Sequence, residues 1–594
     1  MSEPASPSSS GSNDLEPASS HRTGGTSKKS SPLPSTPHPS SPSSHQHQST
    51  ALRDDDIDTH SLSGIPTAHS LSGVPTTSTP IRKGHTTTQP FTSNHLYNDP
   101  AYMRAAEELK GKFVEIPTRE LLDRLRVRDG SGMPTPQHDL GPLKKLKDVT
   151  LEDQSYNLFI KAMQPCLGKG WKLKDIHNHA DPDSKTPLGN SDVKPDLALY
   201  APDMYDDARP CRSKTAALFG EAKILEKSEP FRLPPEASSE PLERKTETAQ
   251  QTRGQLTVYH NAIQAAQQRT RVYSFYYRKN FARLLCHSRS GTVVTPLIDM
   301  TKSNEVPEFF WRFTRASSAE RGLDTTFERA PDDDPHVSSA RISLILKVDD
   351  PVFKVSVGSY AFYISSPFTS THGYPVGRGT RCYEAYNPVT GKHVLLKDTW
   401  RYAEYPPEHE IYGKLRDSGV SNVLGVVAWG DVEGPLQTCG GDGGLRELIH
   451  YRIVLDKVGQ SLTEFNSTYQ FITVIRDALR AHREASQAGI LHRDISVGNI
   501  VIVEGRGYLI DWELASLGDT PTRASERTPF SKILCSKHHE KSDDIESFFW
   551  VMLWIAIRHA PNCLTANYRL KLLSNFDFSK TEDPEIDKIM WTGL

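Results

Sequence analysis

The fold is decided by the stretch Leu491-His492-Arg493-Asp494-Ile495-Ser496-Val497-Gly498-Asn499, which is followed twelve residues later by Asp511-Trp512-Glu513. Asp494 and Asn499 stand five residues apart, and Asp511 closes the apolar run Tyr508-Leu509-Ile510. One carboxylate beside a hydroxyl, with an amide and a second carboxylate as oxygen ligands of Mg²⁺, is the minimum set of groups for phosphoryl transfer. A structural Arg-Asp pair in a turn is the alternative, but the Asn and the second Asp at this spacing favour a transfer site.

A glycine-containing segment lies upstream of this stretch. Val376-Gly377-Arg378-Gly379-Thr380 precedes a β-like run, and glycine lets backbone N–H groups approach an anion. The segment has Arg381 and Cys382 where a third glycine is usual, so an ordinary hairpin turn is the alternative. The apolar strand Val394-Leu395-Leu396-Lys397 follows, and its lysine is predicted to anchor the α- and β-phosphates of a nucleotide.

A helix is predicted from Pro407 to Leu415, because Ile411 and Leu415 share one helical face. Glu408 lies on the inward side of this helix and is expected to form an ion pair with Lys397. Glu410 is the rival for this contact, and a solvated surface position is the ordinary alternative for both.

In this order the motifs resemble the fungal-type protein kinase family. The resemblance rests on His-Arg-Asp-Ile-Ser-x-Gly-Asn-Ile, Gly-Arg-Gly-Thr, Leu-Lys-Asp-x-Trp-Arg at 396–401 and Asp-Asp-Ile-Glu-Ser-Phe-Phe-Trp-Val at 543–551. It covers most of residues 150–594, including an N-terminal extension before the two lobes. It implies an α+β two-lobed protein-kinase-like domain of the Ser/Thr class that uses ATP and Mg²⁺, with a protein as its substrate.

The resemblance also implies a role for each matching residue. Asp494 would orient the proton of the attacking hydroxyl, Asn499 and Asp511 would hold Mg²⁺, and Lys397 would balance the charge of the phosphates. Asp544, near the start of an apolar helix predicted over 545–557, would accept hydrogen bonds from the backbone of the His-Arg-Asp loop. The predicted nucleotide-binding residues are Gly377, Gly379, Thr380, Lys397 and Glu408.

Several departures from the wider kinase pattern favour an alternative function, a pseudokinase that serves as a binding scaffold. Ser496 stands where Ser/Thr kinases commonly have a lysine, and Glu513 replaces the glycine of Asp-Phe-Gly and restricts φ. The stretch 526–534 looks shortened and contains no Ala-Pro-Glu. The chain also stops at Leu594, which leaves too few residues for the last helices of the large lobe, so we expect either a truncated gene product or a kinase that has lost those helices.

Composition divides the chain into four parts. Residues 1–95 are rich in Ser, Thr, Pro, His and Gly with almost no aromatic residues, so this tail is predicted to be disordered. Residues 96–325 are predicted to form an α/β extension, 326–345 a linker marked by Asp332-Asp333-Asp334, and 346–594 the kinase-like domain.

The predicted extension carries a second constellation of residues. Helices are predicted over 151–163 and 255–266, and strands over 196–200, 217–224, 271–277 and 284–287. Pro195-Asp196, Glu221-Ala222-Lys223 and the segment from Gln255 to Tyr259 resemble the PD-(D/E)xK nuclease core, which would bind Mg²⁺ and activate water. Alternatively, Asp196 caps a turn and Glu221 pairs with Lys223 at the surface. Regulation or partner binding is the expected role.

The net charge and the cysteine content limit the classes of binding partner and the cellular compartment that we expect for this protein. The formal net charge of −3 predicts no general affinity for nucleic acid or for an anionic membrane. No run of eighteen apolar residues and no signal-peptide pattern occurs. The seven cysteines contain no Cys-x-x-Cys, which favours reduced thiols in a cytoplasmic or nuclear protein and gives no indication of zinc. The sequence specifies neither the substrate nor the oligomeric state.

Overall fold

The computed structural model describes residues 98–127, 140–184, 193–233, 241–369, 375–517, 540–559 and 563–574. The predicted disordered tail, the shortened stretch 526–534 and the end of the chain lie outside the described residues. Within them, the predicted combination of helices with several sheets is confirmed. None of the described helices has the length and the apolar composition that a membrane crossing requires.

The N-terminal α/β domain begins with helix α1 and ends with helix α6. Its helices are α1 (Asn98–Glu108), α2 (Thr118–Asp123), α3 (Leu140–Lys145), α4 (Glu152–Met163), α5 (Glu247–Ala266) and α6 (Glu305–Phe313). Its strands are β1 (Phe113–Glu115), β2 (Lys172–Asp175), β3 (Leu197–Tyr200), β4 (Ala216–Lys223), β5 (Arg271–Arg278), β6 (Phe281–Ser288), β7 (Thr292–Val294) and β8 (Ile298–Asp299).

These strands form one sheet in the order β1-β7-β6-β5-β4-β3-β2, with β8 paired to β6. Strands β2, β3 and β4 are antiparallel neighbours, whereas β4 and β5 are parallel. A parallel pair needs a crossover connection, and α5 supplies it. The two central strands, β4 and β5, are buried almost throughout, as is usual when a sheet is covered on both faces.

Helices cover both faces of this sheet. On one face, Phe159 of α4 stacks on Tyr277 of β5 with ring centroids 4.5 Å apart, and α6 adds Phe310 to the same core. On the other face, α5 packs so closely against α1 that a Cβ at Gly254 would overlap the carbonyl of Tyr102. Burial of each such aromatic ring contributes roughly 2 kcal/mol, which stabilises the packing of α4 and α6 against the sheet.

The second region comprises the kinase-like lobes. Its strands are β9 (Phe327–Arg329), β10 (Phe353–Val357), β11 (Tyr360–Ile364), β12 (Arg381–Asn387), β13 (Lys392–Tyr402), β14 (Val426–Asp431), β15 (Thr438–Cys439), β16 (Leu448–Leu455), β17 (Gln460–Ser461), β18 (Ile490–Leu491), β19 (Ile500–Val503), β20 (Arg506–Leu509) and β21 (Ser516–Leu517). Its helices are α7 (Val337–Ser343), α8 (Glu408–Asp417), α9 (Thr468–Gln487), α10 (Lys541–His559) and α11 (Ala566–Ser574).

The smaller lobe is an antiparallel sheet in the order β14-β16-β13-β12-β11-β10-β9. Helix α8 packs beside it through Ile411 and Leu415, the two residues whose spacing predicts this helix. The larger lobe is formed by α9 and α10 with the short β-ladder β17-β19-β20, and its core continues that of α8.

The structure corrects the predicted linker over residues 326–345. Strand β9 pairs with β10 within the small-lobe sheet, and α7 buries Val337 and Ala340 against Tyr363. Both elements are too short to show a hydrophobic period, while three successive aspartates and flanking prolines have the composition of a loop.

Candidate active site

The small lobe contains a buried ion pair between Lys397 of β13 and Glu408 of α8. Strand β13 runs between β12 and β16, so Lys397 is buried beneath the sheet. Helix α8 begins at Glu408, directly after Pro407. Lys397 Nζ lies 2.7 Å from Glu408 Oε2, so the expected ion pair is present, whereas Glu410 is exposed.

The loop after β18 places Asp494 at the base of the site. His492 Nε2 donates a hydrogen bond to Ile510 O at 3.0 Å, which ties this loop to the end of β20. Asp494 is buried, and its Oδ2 atom has no hydrogen-bond partner among the described residues. Burial, aided by the negative charge of Asp511, raises the pKa of Asp494 to about 7. A buried acceptor that has no partner in the described part of the chain is suited to take a hydrogen bond from a substrate hydroxyl.

Asp544 supports this loop from below, as the sequence predicts. Its carboxylate accepts hydrogen bonds from the backbone N–H of His492 at 3.2 Å and of Arg493 at 3.1 Å. Arg493 has a positive φ of 67°, a strained conformation for a residue with a side chain. The buried carboxylate therefore holds the loop in a shape that the backbone alone would not prefer.

Asn499 and Asp511 are brought to the same side of the large lobe. The Asn499 side chain donates to Asp494 O at 2.5 Å, and the backbone N–H of Ile510 donates to Asn499 O at 2.9 Å. Asp511 follows with φ 64° and ψ 62°, a left-handed conformation that Asp tolerates better than most residues. An amide oxygen and a carboxylate are hard oxygen ligands, so this pair fits the chemistry that Mg²⁺ requires.

Lys397 of the small lobe forms ion pairs with carboxylates of the large lobe. Besides Glu408, its Nζ atom lies 2.6 Å from Asp511 Oδ1 and 3.3 Å from Glu513 Oε2. The ligand atoms of these three carboxylates lie within 4.8 Å of one another, close enough for a metal ion. Because the lysine ammonium already contacts all three, we interpret the cluster as its counter-charge. Burial acts to lower the pKa of Lys397, but the carboxylates, mainly that of Asp511, outweigh it and raise the pKa.

Glu513 and Arg378 belong to the site although neither is among the site residues predicted from the sequence. Arg378 Nη1 lies 2.8 Å from Glu513 Oε2, so the glycine-containing loop reaches the segment after Asp511. An acidic residue at the position after Asp-Trp, with a lone arginine between two glycines, is the signal that would have indicated this pair.

The predicted nucleotide-binding loop does not present all its residues to the site. Gly377 and Gly379 have positive φ values of 89° and 52°, as expected where glycine is required. The Thr380 hydroxyl lies 2.8 Å from that of Thr399, so its side chain is engaged with β13. The backbone N–H of Gly377 donates to Arg289 O at 2.7 Å.

A family comparison covers the elements that form this site. The model described as fungal protein kinase matches residues 238–440 and 437–556, more than half of the chain. The chain belongs to the fungal protein kinase family. The match begins before α5, so this kinase family includes part of the N-terminal domain as well as both lobes. Among the curated proteins compared, none matches the sequence.

The N-terminal domain of this fungal protein kinase holds a second charged cluster. Asp196 Oδ1 accepts a hydrogen bond from the Tyr156 hydroxyl at 2.9 Å, and its Oδ2 accepts one from the backbone N–H of Ala222 at 2.8 Å. Glu221 is buried and forms an ion pair with Lys223. Burial, reinforced by the charge of Asp196, raises the pKa of Glu221 to about 8. The predicted residues therefore meet where β3 and β4 lie side by side.

Gln255 and Tyr259 lie beside this cluster on α5. Gln255 Nε2 donates to the Tyr259 hydroxyl at 2.9 Å, and that hydroxyl donates to Lys194 O at 2.8 Å. This hydrogen bond fixes the segment that leads into Asp196. In the kinase, these two residues therefore position the backbone that precedes Asp196.

Proposed function

We propose that this fungal protein kinase is an ATP- and Mg²⁺-dependent enzyme that transfers the γ-phosphate of ATP to Ser or Thr hydroxyls of protein substrates. The contact that supports it best is the buried ion pair of Lys397 with Glu408, placed against Asp511 of the large lobe. A lysine held by a helix carboxylate beside a metal-binding Asp is the arrangement that phosphoryl transfer requires of protein kinases.

The chain's own residues would act in three ways. Asp494 orients the substrate hydroxyl and accepts its proton, which is supported by its buried Oδ2 atom, an acceptor without a partner among the residues that the structure describes. Asn499 and Asp511 offer oxygen ligands for Mg²⁺, which when bound supplies positive charge against the phosphate oxygens. Lys397 remains bound to Glu408 and exchanges Asp511 for phosphate. Charge balance around the transferred group then comes from fixed protein groups.

The decisive experiment measures nucleotide binding and transfer on the full chain. We expect ATP to raise the melting temperature when Mg²⁺ is present, since ligand binding to the folded state stabilises it. Labelled phosphate should then appear on a generic Ser/Thr protein mixture with wild-type protein and be absent with Asp494→Asn. Binding of ATP without transfer by the wild type would contradict the proposal.

A pseudokinase scaffold is the second candidate, and one observation favours it. Glu513 stands where a glycine is usual and pairs with both Lys397 and Arg378. These contacts occupy the two cations that nucleotide phosphates would use. A scaffold would transfer no phosphate whether or not ATP stabilises it, so the transfer assay on the wild type separates the two functions.

We further propose that the N-terminal domain has a nuclease-derived fold that now serves regulation or partner binding. The order α4-β2-β3-β4-α5-β5, with Asp196 facing Glu221 across β3 and β4, supports the derivation. The net charge of −3 argues against cleavage of nucleic acid, since phosphate-backbone affinity generally needs a basic surface. Mg²⁺-dependent cutting of DNA or RNA that is lost in Glu221→Gln would overturn the regulatory role.

A further inference from the structure

The glycine-containing loop at residues 375–380 is bound to the N-terminal domain. Arg289, just past the end of β6, makes a two-way contact with it. Its carbonyl accepts the backbone N–H of Gly377 at 2.7 Å, and its Nε atom donates to the carbonyl of Gly377 at 2.9 Å. His287 of β6 lies 2.8 Å from the carbonyl of Pro375. The first half of the loop is therefore hydrogen-bonded to the end of β6 and to the residue that follows it.

This contact removes a group on which a phosphate loop ordinarily depends. Glycine loops bind phosphate through backbone N–H groups that point at the anion. The N–H of Gly377 is instead used by Arg289. A Cβ at Gly379 would overlap the Arg289 guanidinium, so the second glycine is needed for contact with the N-terminal domain.

Arg381, next to the position where a third glycine is usual, is also directed to the N-terminal domain. The Arg381 guanidinium donates to the carbonyls of Gln264 and Gln267 and to the side chain of Gln268, all at the end of α5. A cation at the carboxyl end of a helix is favourable because the last carbonyls lack partners within the helix. Arg381 is thus a structural contact between the domains.

Arg378 is the exception in this loop. Its carbonyl accepts the backbone N–H of Trp400 at 2.8 Å, which anchors the residue to β13, and its side chain extends to Glu513 beside Lys397. Burial acts to lower the pKa of Arg378, but the carboxylates of Glu513, Asp511 and Asp494 outweigh it and raise the pKa. The guanidinium therefore stays charged among the groups proposed to handle the phosphates.

We propose that Arg378 binds the nucleotide phosphates in place of the Gly377 backbone N–H that Arg289 occupies, and that its guanidinium exchanges Glu513 for phosphate when nucleotide binds. This deepens the proposed function and rests on it. The guanidinium is planar and carries several N–H donors, so it can bind two phosphate oxygens at once, as a backbone cradle would.

The experiment compares adenosine with ATP, because only ATP carries phosphates. Calorimetry on the full chain with Mg²⁺ should show that Arg378→Ala weakens ATP binding by about 10-fold or more, because the variant cannot form the charge-assisted bidentate hydrogen bonds. Adenosine binding should stay within about 2-fold. Arg401→Ala, which removes an ion pair with Asp431 near the end of β13, is the matched control and should change neither affinity. Arg378→Lys should recover part of the ATP affinity.

A second variant keeps the test decisive if Arg378→Ala folds poorly. Glu513→Gln removes the negative charge that competes with phosphate for the guanidinium, so ATP affinity should rise. Equal loss of adenosine and ATP in Arg378→Ala, no loss of either, or no rise of ATP affinity in Glu513→Gln would each overturn the inference. If the wild type binds neither ligand, the proposed function fails with it, whereas normal ATP binding by Arg378→Ala removes the inference alone.

Discussion

His482 Nε2 on α9 lies 2.8 Å from Asp544 Oδ2 on α10, and both side chains are completely buried. The same Asp544 carboxylate accepts the backbone N–H groups of His492 and Arg493. One residue therefore connects two helices of the large lobe to the loop that carries Asp494.

Replacement of Asp544 by Ala should lower the free energy of unfolding by about 3 kcal/mol, because it leaves two buried N–H groups and a histidine without their acceptor. Urea unfolding followed by circular dichroism measures the change. Glu546→Ala, at an exposed position of the same helix, is the control and should stay within about 0.5 kcal/mol of wild type. A similar small effect for Asp544→Ala would show that the loop keeps its shape unaided.

Asp511→Asn should reduce the Mg²⁺-dependent part of the thermal shift caused by ATP. The amide is a weaker ligand for Mg²⁺ than the carboxylate, while Lys397 retains Glu408 as a partner. Melting curves with ATP, with Mg²⁺ and with both measure the increment. Asp431→Asn, which changes an exposed carboxylate paired with Arg401, should leave the increment unchanged. An unaltered increment in Asp511→Asn would remove this residue from the metal site.

Asp494→Asn should slow phosphate transfer by on the order of 10²-fold or more, since a positioned base is lost. Its affinity for ATP should stay within a few-fold, because the residue is predicted to face the hydroxyl and the substituted side chain has the same shape. Transfer is followed with labelled phosphate, and affinity by calorimetry. A collapse of ATP affinity would assign Asp494 a structural role.

Acid should destabilise the folded protein through His287, a buried residue that contacts the glycine-containing loop. Burial lowers the pKa of His287 to about 4, from an ordinary value near 6.5. The neighbouring His260 ring lies 5.2 Å away, and the guanidinium of Arg289 disfavours protonation further. Since the unfolded chain binds a proton at a higher pH than the folded one, the stabilisation is present above about pH 6.5 and is lost toward pH 4.

When the pH falls from 7 to 5, His287 alone should lower the free energy of unfolding by about 2 kcal/mol. Denaturant unfolding of wild type and of His287→Gln at both pH values measures the difference. The variant should be less stable than wild type at pH 7, but its free energy of unfolding should fall less between pH 7 and pH 5. Equal losses for the two proteins would contradict the assignment.

The sequence predicts those parts of the site that depend on local spacing. The Lys397–Glu408 contact follows from a strand and a helical face that are adjacent in the chain, and the Asp544 support follows because a buried carboxylate needs donors. The start of α5 at Glu247 was not predicted, because its first turns are polar and show no apolar period. Local sequence patterns cannot predict contacts between residues that are far apart in the chain. Arg378 and Glu513 are 135 residues apart, and Arg289 and Gly377 are 88 residues apart.

The contact of Arg381 with the end of α5 restricts how this gene can change. A rearrangement that joined a different N-terminal domain to the lobes would leave the Arg381 guanidinium without the carbonyls of Gln264 and Gln267. A buried cation that loses its acceptors costs several kcal/mol, a large share of the stability of most proteins. Duplicated copies are therefore expected to inherit both regions together and to diverge by surface substitution rather than by recombination at the domain boundary.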